Sequence, residues 1–222
     1  MADRLKEQLD KESYICNRLS SVLITPDIDF PLQAHDFMII EHDEFKGRIL
    51  DVGTGPGILP IIAKLKDPTL DITGMDGSEI SVNIGKTLAK KANIEVPFIH
   101  SLIGDEEIKE KSFDTIILNH IIEHIEDLDY VFQWCKKILK DDGAIFIGIP
   151  YQNCHWSPNH VHFFDIEDGK ICPAGKCTNI ASILDRNGFK GTIDIFDEEK
   201  KDKRHPHKSR GQLDMVIKVN KQ

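Results

Sequence analysis

The sequence predicts an α/β fold, a doubly wound and mostly parallel seven-stranded sheet that ends in a C-terminal antiparallel hairpin. Three observations point there. From Arg48 onward short β-like runs alternate with helical patterns, as they do when helices cover both faces of a parallel sheet. The first run passes directly into a glycine-rich turn that opens a helix. The last two runs, Gly191–Phe196 and Leu213–Val219, have only the charged stretch Glu198–Gly211 between them, so they can pair as a hairpin.

Taken in order, the strands are predicted at Arg48–Val52, Asp71–Met75, Val96–His100, Phe113–Asn119 and Ala144–Ile149, followed by the hairpin. A helix starts near Ile58 with Pro60 in its first turn, where a missing N–H costs little. Ser78 is the expected N-cap of a helix running to about Ala92. Leu128, Val131, Phe132, Cys135, Ile138 and Leu139 fall on one helical face, with Lys136, Lys137 and Lys140 at its negative end and Gly143 as the expected terminator. A helix over Asn179–Asn187 stops at Gly188. Ahead of the sheet, Leu5, Leu9, Cys16, Leu19 and Leu23 predict one amphipathic helix, and a second begins near Pro31.

Composition is that of an ordinary globular protein, with 40% hydrophobic and 29% charged residues over 222 positions. The expected division is 1–47 for the N-terminal helices and 48–222 for the main domain. No apolar run approaches the roughly 20 residues that span a bilayer, and Met1–Asp10 is charged, so a cytoplasmic protein without a membrane partner is expected. The net charge of −9 argues against a general nucleic-acid binder. Cys16, Cys135, Cys154, Cys172 and Cys177 form no regular framework and read as free thiols.

The most informative segment is Ile49–Gly57, an apolar strand entering a loop with glycines at 53, 55 and 57. Glycine allows a tight turn and lets backbone approach a ligand without a Cβ between them. The spacing discriminates. A dinucleotide loop is G-x-G-x-x-G, whereas Ile58 stands where its third glycine belongs, and no G-K-[ST] follows for a phosphate loop. Asp51 precedes the first glycine, and Asp76-Gly77 ends the second strand, where a carboxylate can accept hydrogen bonds from both hydroxyls of a ribose.

Together these residues resemble the class I S-adenosylmethionine-dependent methyltransferases across about Arg48–Phe189. Leu50–Gly57 matches the first family motif, Asp76 the second, and Phe113-Asp114 with Ile116–Asn119 the motif ending the fourth strand. Ile121–His124 is similar to the segment after that strand in small-molecule enzymes of the ubiquinone-biosynthesis type. The resemblance implies a Rossmann-like methyltransferase fold, S-adenosyl-L-methionine as cofactor, and a sheet completed by the final hairpin. It places Gly53, Thr54 and Gly55 under the cofactor's methionine part and Asp76 at its ribose, with Asp51, Gly57 and Gly77 also among the cofactor-binding residues. It places Ser101 and Leu102 beside the adenine, and Asn119 and His120 at the end of the fourth strand. The acidic residue often found at the end of the third strand is absent here. The N-terminal helices are allowed as a lid over the acceptor.

His120–His124 spells H-x-x-E-H, a zinc-protease pattern whose histidines share a face when they lie on a helix. Its context, directly after a buried strand beside a cofactor loop, is wrong for a protease. A related segment occurs in RNA 2′-O-methyltransferases that hold a divalent ion, although His120 stands where their first acid belongs; no metal is assigned from the sequence. Cys154, His155, Cys172 and Cys177 are too loosely spaced for a convincing zinc site.

Pro150–Asp165 follows the fifth strand, where an acceptor enters, and holds Tyr151, Asn153, His155, Trp156, Asn159, His160 and His162. His162, His160 and His124 are the candidate catalytic residues, because imidazole titrates near neutrality. Lys200–Arg210 reads as a solvated loop, with phosphate or RNA contact as the lesser reading. Methyl transfer to a hydroxyl of a small polar metabolite or sugar is the expected function. A metal-assisted RNA 2′-O-methyltransferase, a non-catalytic cofactor-binding module and a nicotinamide oxidoreductase rank behind it.

Overall fold

The computed structural model describes residues 45–151, 159–172, 175–197 and 213–222. The expected N-terminal helices, the stretch carrying Asn153, Cys154, His155 and Trp156, the Cys172 side chain and the Lys200–Arg210 loop lie outside the described residues. Seven strands build one sheet: β1 (Arg48–Val52), β2 (Asp71–Asp76), β3 (Phe98–His100), β4 (Phe113–Asn119), β5 (Leu139–Pro150), β6 (Phe189–Asp197) and β7 (Leu213–Lys221). Their order is β6-β7-β5-β4-β1-β2-β3. The five strands from β3 to β5 run parallel, and β7 pairs antiparallel with both β5 and β6. Among the described residues four α-helices complete the layers: α1 (Ile58–Lys66), α2 (Glu79–Lys91), α3 (Leu128–Ile138) and α4 (Ile180–Arg186).

Period-two alternation along the strands distributes the core between two faces. Ile49, Ile72 and Ile117 join the buried residues of α1 and α2. Leu50, Met75, Ile116 and Leu118 join those of α3 and α4 on the other side. Helix starts are capped by side chains: Ser78 Oγ accepts from the Ser81 N–H, Asp127 from Tyr130 and Asn179 from Ser182. Gly188, at φ +76°, takes the left-handed turn after α4.

Several strands run a few residues beyond the prediction, and two of the differing boundaries have a clear physical cause. β3 begins at Phe98 rather than Val96, because Pro97 has no N–H to give a ladder. Its carbonyl instead accepts the Gly74 N–H at 3.0 Å. α3 stops at Ile138, where Leu139 turns extended (ψ 138°) and enters β5 at once, so Gly143 terminates nothing. Gly143 lies inside the strand, where a Cβ would stand 2.7 Å from the Leu139 side chain and 2.9 Å from the Asp114 carbonyl.

One aromatic ring ties the glycine loop to the sheet. A Cβ on Gly57, Gly74 or Gly85 would come within 2.3, 2.9 or 2.8 Å of the Phe98 ring. The loop, β2 and α2 therefore close around that ring only because three glycines leave room for it. Gly57 also has φ +74°. Gly57→Ala is expected to cost about 2–5 kcal/mol, from left-handed backbone and overpacking together. Chemical denaturation reads the cost, and a loss below about 1 kcal/mol would mean that Phe98 has room to yield.

Candidate active site

The carboxyl ends of β1, β2 and β4 bring the predicted cofactor residues to one edge of the sheet. β7 runs the opposite way, so its beginning reaches the same edge, with Asp214 opposite Pro150 of β5. After β1 the chain turns sharply, and the N–H groups of Gly53 and Thr54 both donate to the Met75 carbonyl, at 2.8 and 3.0 Å. Thr54 Oγ1 donates to the buried Asp51 carboxylate at 2.5 Å.

Asp76 joins the loop to the next helix. Its Oδ2 accepts from the Gly55 N–H at 2.7 Å and its Oδ1 from the Ser78 N–H at 2.8 Å. The residue is 6% exposed, and burial pushes its pKa up against the pull of these two hydrogen bonds. Among the described residues each oxygen has a single N–H partner, and a carboxylate can take about four donors, so both retain capacity.

The three loop glycines have different tasks. A Cβ on Gly53 would meet Ile121 at 2.6 Å and one on Gly57 would meet Phe98, but at Gly55, with φ +55°, it would meet nothing within 4 Å among the described residues. Gly55 alone of the three borders open space; Gly57 is required by packing.

At the end of β3 the Ser101 N–H donates to the Asp76 carbonyl, and His100 Nε2 donates to the Gly77 carbonyl. Leu102 is partly exposed beside them. Ser101 Oγ also donates to Asp105 at 2.6 Å. An acid thus reaches this position after all, four residues later and folded back by a turn. The sequence signal is Gly104-Asp105, with the glycine at φ +94°.

The H-x-x-E-H segment does not lie on an α-helix. His120 has a left-handed backbone (φ +50°), and Ile122–His124 form a single 3₁₀ turn, so His120 and His124 do not share a helical face. The His120 ring stands between two buried carboxylates, 3.3 Å from Glu123 and 3.7 Å from Asp214. Glu123 is 1% exposed. Burial is the largest influence on it and acts upward, but His120 and then His124 outweigh it and leave the pKa lowered. The Glu123 carbonyl accepts from the Val161 and His162 N–H groups at 2.8 and 3.2 Å, pinning the loop after β5 to the 3₁₀ turn. His160 thereby meets His124 edge-on, with ring centroids 4.8 Å apart.

His162 is not part of that cluster. Its Nδ1 lies 3.0 Å from Thr178 Oγ1 and its Nε2 3.2 Å from the Glu126 carbonyl. A carbonyl only accepts, so Nε2 carries the proton and Nδ1 accepts from threonine, which leaves neither nitrogen for an acceptor's proton. His162 lines a groove together with Asp129, Ser182 and Arg186. The same logic gives His124 the opposite tautomer. Its Nδ1 lies 3.2 Å from the Asn159 carbonyl, so the lone pair is on Nε2.

A family described as a methyltransferase domain matches residues 30–192. The ubiquinone biosynthesis O-methyltransferase of Rhizobium leguminosarum bv. trifolii is 29% identical over 103 residues, 46% of this chain and 39% of that protein. That of Pelagibacter ubique is 30% identical over 106 residues, 46% and 41% of the two chains. The chain thus spans less than half the length of these relatives. Among solved structures, an S-adenosylmethionine-dependent methyltransferase of Methanosarcina mazei aligns with TM-score 0.60 at 15% identity, covering 83% of this chain and 96% of that one. Geranyl diphosphate C-methyltransferase of Streptomyces coelicolor A3(2) gives 0.61 at 12%, covering 85% and 80%. The cyclase SpnF gives 0.63 at 16%, covering 84% and 80%. Identities this low establish the fold and nothing finer.

With the rings neutral, long-range proton–nitrogen NMR should find His162 protonated at Nε2 and His124 at Nδ1. His162→Ala should cost about 1–2 kcal/mol of stability for its two hydrogen bonds. The reverse tautomer at His162 would return it to the candidate bases.

Proposed function

The chain belongs to the methyltransferase-domain family, and from that premise we propose that it binds S-adenosylmethionine and transfers its methyl group to a hydroxyl oxygen of a small molecule. The observation that carries the reading is the pairing of Gly55, which borders open space, with Asp76, whose two buried oxygens each have room for another donor. These residues fit an adenosyl cofactor: the glycine backbone admits a close-lying ligand, and the carboxylate suits two ribose hydroxyls. Asp105, held by Ser101, suits an exocyclic amine such as that of adenine. Asp51, Asp76, Glu123 and Asp214 are all buried at this edge, and their field favours a ligand with a positive centre.

When bound, the cofactor supplies an electrophilic methyl carbon on a sulfonium sulfur, open to in-line displacement by an acceptor oxygen. The chain's own residues then have to position and deprotonate. Holding two reactants in line contributes on the order of 7–11 kcal/mol. The Glu123–His124–His160 cluster, reached by the loop after β5, is where the acceptor's proton leaves. An oxygen acceptor is supported by the relatives whose names specify O-methylation. A small molecule is favoured over RNA by the net charge of −9. Because a cyclase shares the fold, binding alone is an insufficient test.

Calorimetry should therefore find one S-adenosylhomocysteine per chain, with Asp76→Ala weakening it at least about tenfold. Gly55→Ala should weaken it similarly while costing only about 1–2 kcal/mol of stability. The raised pKa of Asp76 sets a sign. The folded apo protein holds that proton more tightly than the unfolded chain, so ionisation subtracts stability as pH rises through the window between the two pKa values. Hydroxyl donors favour the ionised form, so ligand affinity should climb with pH across the upper carboxylate range. Transfer of labelled methyl to oxygen in a panel of phenols, polyols and a 3′-ended small RNA identifies the acceptor class. Tight binding with no label transferred to any of them would make the chain a binding module.

A further inference from the structure

We propose that His100 is a positioning residue of the cofactor site, one that sets the Asp76 carboxylate through the single peptide group joining Gly77 to Ser78. What Asp76 binds rests on the reading above; its coupling to His100 does not.

The backbone ladder between β2 and β3 is short. It pairs Gly74, Met75 and Asp76 with Phe98, Ile99 and His100, and the Ser101 N–H on the Asp76 carbonyl, at 3.1 Å, is its last rung. The next carbonyl, that of Gly77, takes its described partner from a side chain instead: His100 Nε2 stands 3.1 Å from it. A carbonyl only accepts, so Nε2 carries the proton. Registered neighbours in parallel strands turn their side chains to one face, which puts His100 beside Asp76.

The same peptide group meets Asp76 with its other end. The Ser78 N–H, attached to the Gly77 carbonyl carbon, donates to Asp76 Oδ1 at 2.8 Å. A peptide is planar, and in the trans form its C=O and N–H point in opposite directions. Rotating it to take one end out of line also moves the other, so imidazole and carboxylate hold it between them. Hydrogen bonds in such a chain polarise one another, and a donor on the carbonyl strengthens the N–H toward the carboxylate. Two ribose hydroxyls need both Asp76 oxygens at fixed places. The loop after β1 fixes Oδ2 through Gly55, and Ser78, hence His100, fixes Oδ1.

Electrostatics act in the same direction. Burial pushes the Asp76 pKa up; the Ser78 N–H, then the Gly55 N–H, then the charge of His100 pull it back. The elements meeting here contribute two further acids. Glu79, in the first turn of α2, is exposed, and Asp105, after β3, is held by the Ser101 hydroxyl and the Glu107 N–H. His100 is exposed, so water and salt screen its direct field, and the hydrogen-bonded route through the peptide is the one that persists. The core does not depend on this ring, so substitution there tests the site and not the fold.

The test compares the full chain with His100→Ala and with His100→Gln, whose amide N–H can reach the same carbonyl without carrying charge. Calorimetry with S-adenosylhomocysteine at neutral pH should find the alanine variant weaker by about three- to tenfold and the glutamine variant within about twofold of wild type. In an Asp76→Ala background, alanine at position 100 should cost nothing further. Carboxyl-carbon NMR of Asp76 in the ligand-free protein gives a readout that a merely structural role leaves still. Losing a donor that favours the ionised form should raise the Asp76 midpoint in His100→Ala by about half a pH unit, a threefold change in its acid constant, and in His100→Gln by less. An Asp76 midpoint that ignores both substitutions, or an alanine penalty that persists in full without Asp76, overturns the proposal. Wild type that fails to bind S-adenosylhomocysteine sinks the cofactor reading instead, and the Asp76 titration alone then decides the coupling.

Discussion

Burying carboxylates at the carboxyl edge of the sheet is the constraint on which this site is built. Asp51, Asp76, Glu123 and Asp214 are each no more than 6% exposed. An ionised carboxylate withdrawn from water needs hydrogen bonds or a counter-charge, and each answer dictates local geometry. Thr54 bends back to Asp51. Asp76 takes N–H groups from the β1 loop and from the start of α2, so one side chain sets the distance between two elements. His120 adopts a left-handed backbone and places its ring between Glu123 and Asp214. The strain of that conformation, about 1–2 kcal/mol, is small beside the cost of leaving two buried carboxylates unanswered.

Sterics do the complementary work. The crevice can open above Gly55 because the loop around it is held from beneath, by Phe98 filling the space that three glycines leave. The glycine that borders open space and the loop glycine that admits the ring are separated by only two residues, yet they answer to different forces. A Cβ at Gly55 would meet nothing among the described residues; a Cβ at Gly57 intrudes on the core. The loop can thus be rigid on one side and accessible on the other without any side chain of its own taking part.

Much of this is legible in the sequence, and the exceptions have physical causes. The β1 and β4 runs are readable because a strand in a sheet covered on both faces is a nearly continuous apolar run, and the hairpin because no helical pattern separates its two runs. Gly143 misleads because a glycine after a lysine-rich helix end looks like a stop, whereas the strand has already begun at Leu139. Asp76 is readable as a strand-end carboxylate because periodicity locates the end of β2. Asp105 escapes because it returns through a turn that no periodicity marks. The order of the histidines along the loop ranks them, but orientation decides. His162 spends both nitrogens on Thr178 and Glu126, while His160 meets a glutamate and a histidine more than thirty positions earlier. Contacts across that separation are set by tertiary packing, and spacing rules carry no information about them.

The two halves of the crevice also differ in what change they tolerate. The cofactor half consists of backbone N–H groups, glycine conformations and buried charge, where a single substitution disturbs several elements at once. The proposed acceptor half consists of side chains on a loop fastened to the 3₁₀ turn by the Glu123 carbonyl and by His124 Nδ1 on the Asn159 carbonyl. Substitution on that loop leaves the sheet edge intact, so acceptor chemistry can diverge while the fold stays constant. A C-methyltransferase and a cyclase sharing this architecture at 12% and 16% identity are what such an arrangement permits. On the proposed function, the choice of acceptor belongs to the polar side chains that gather around Glu123 and not to the glycine loop.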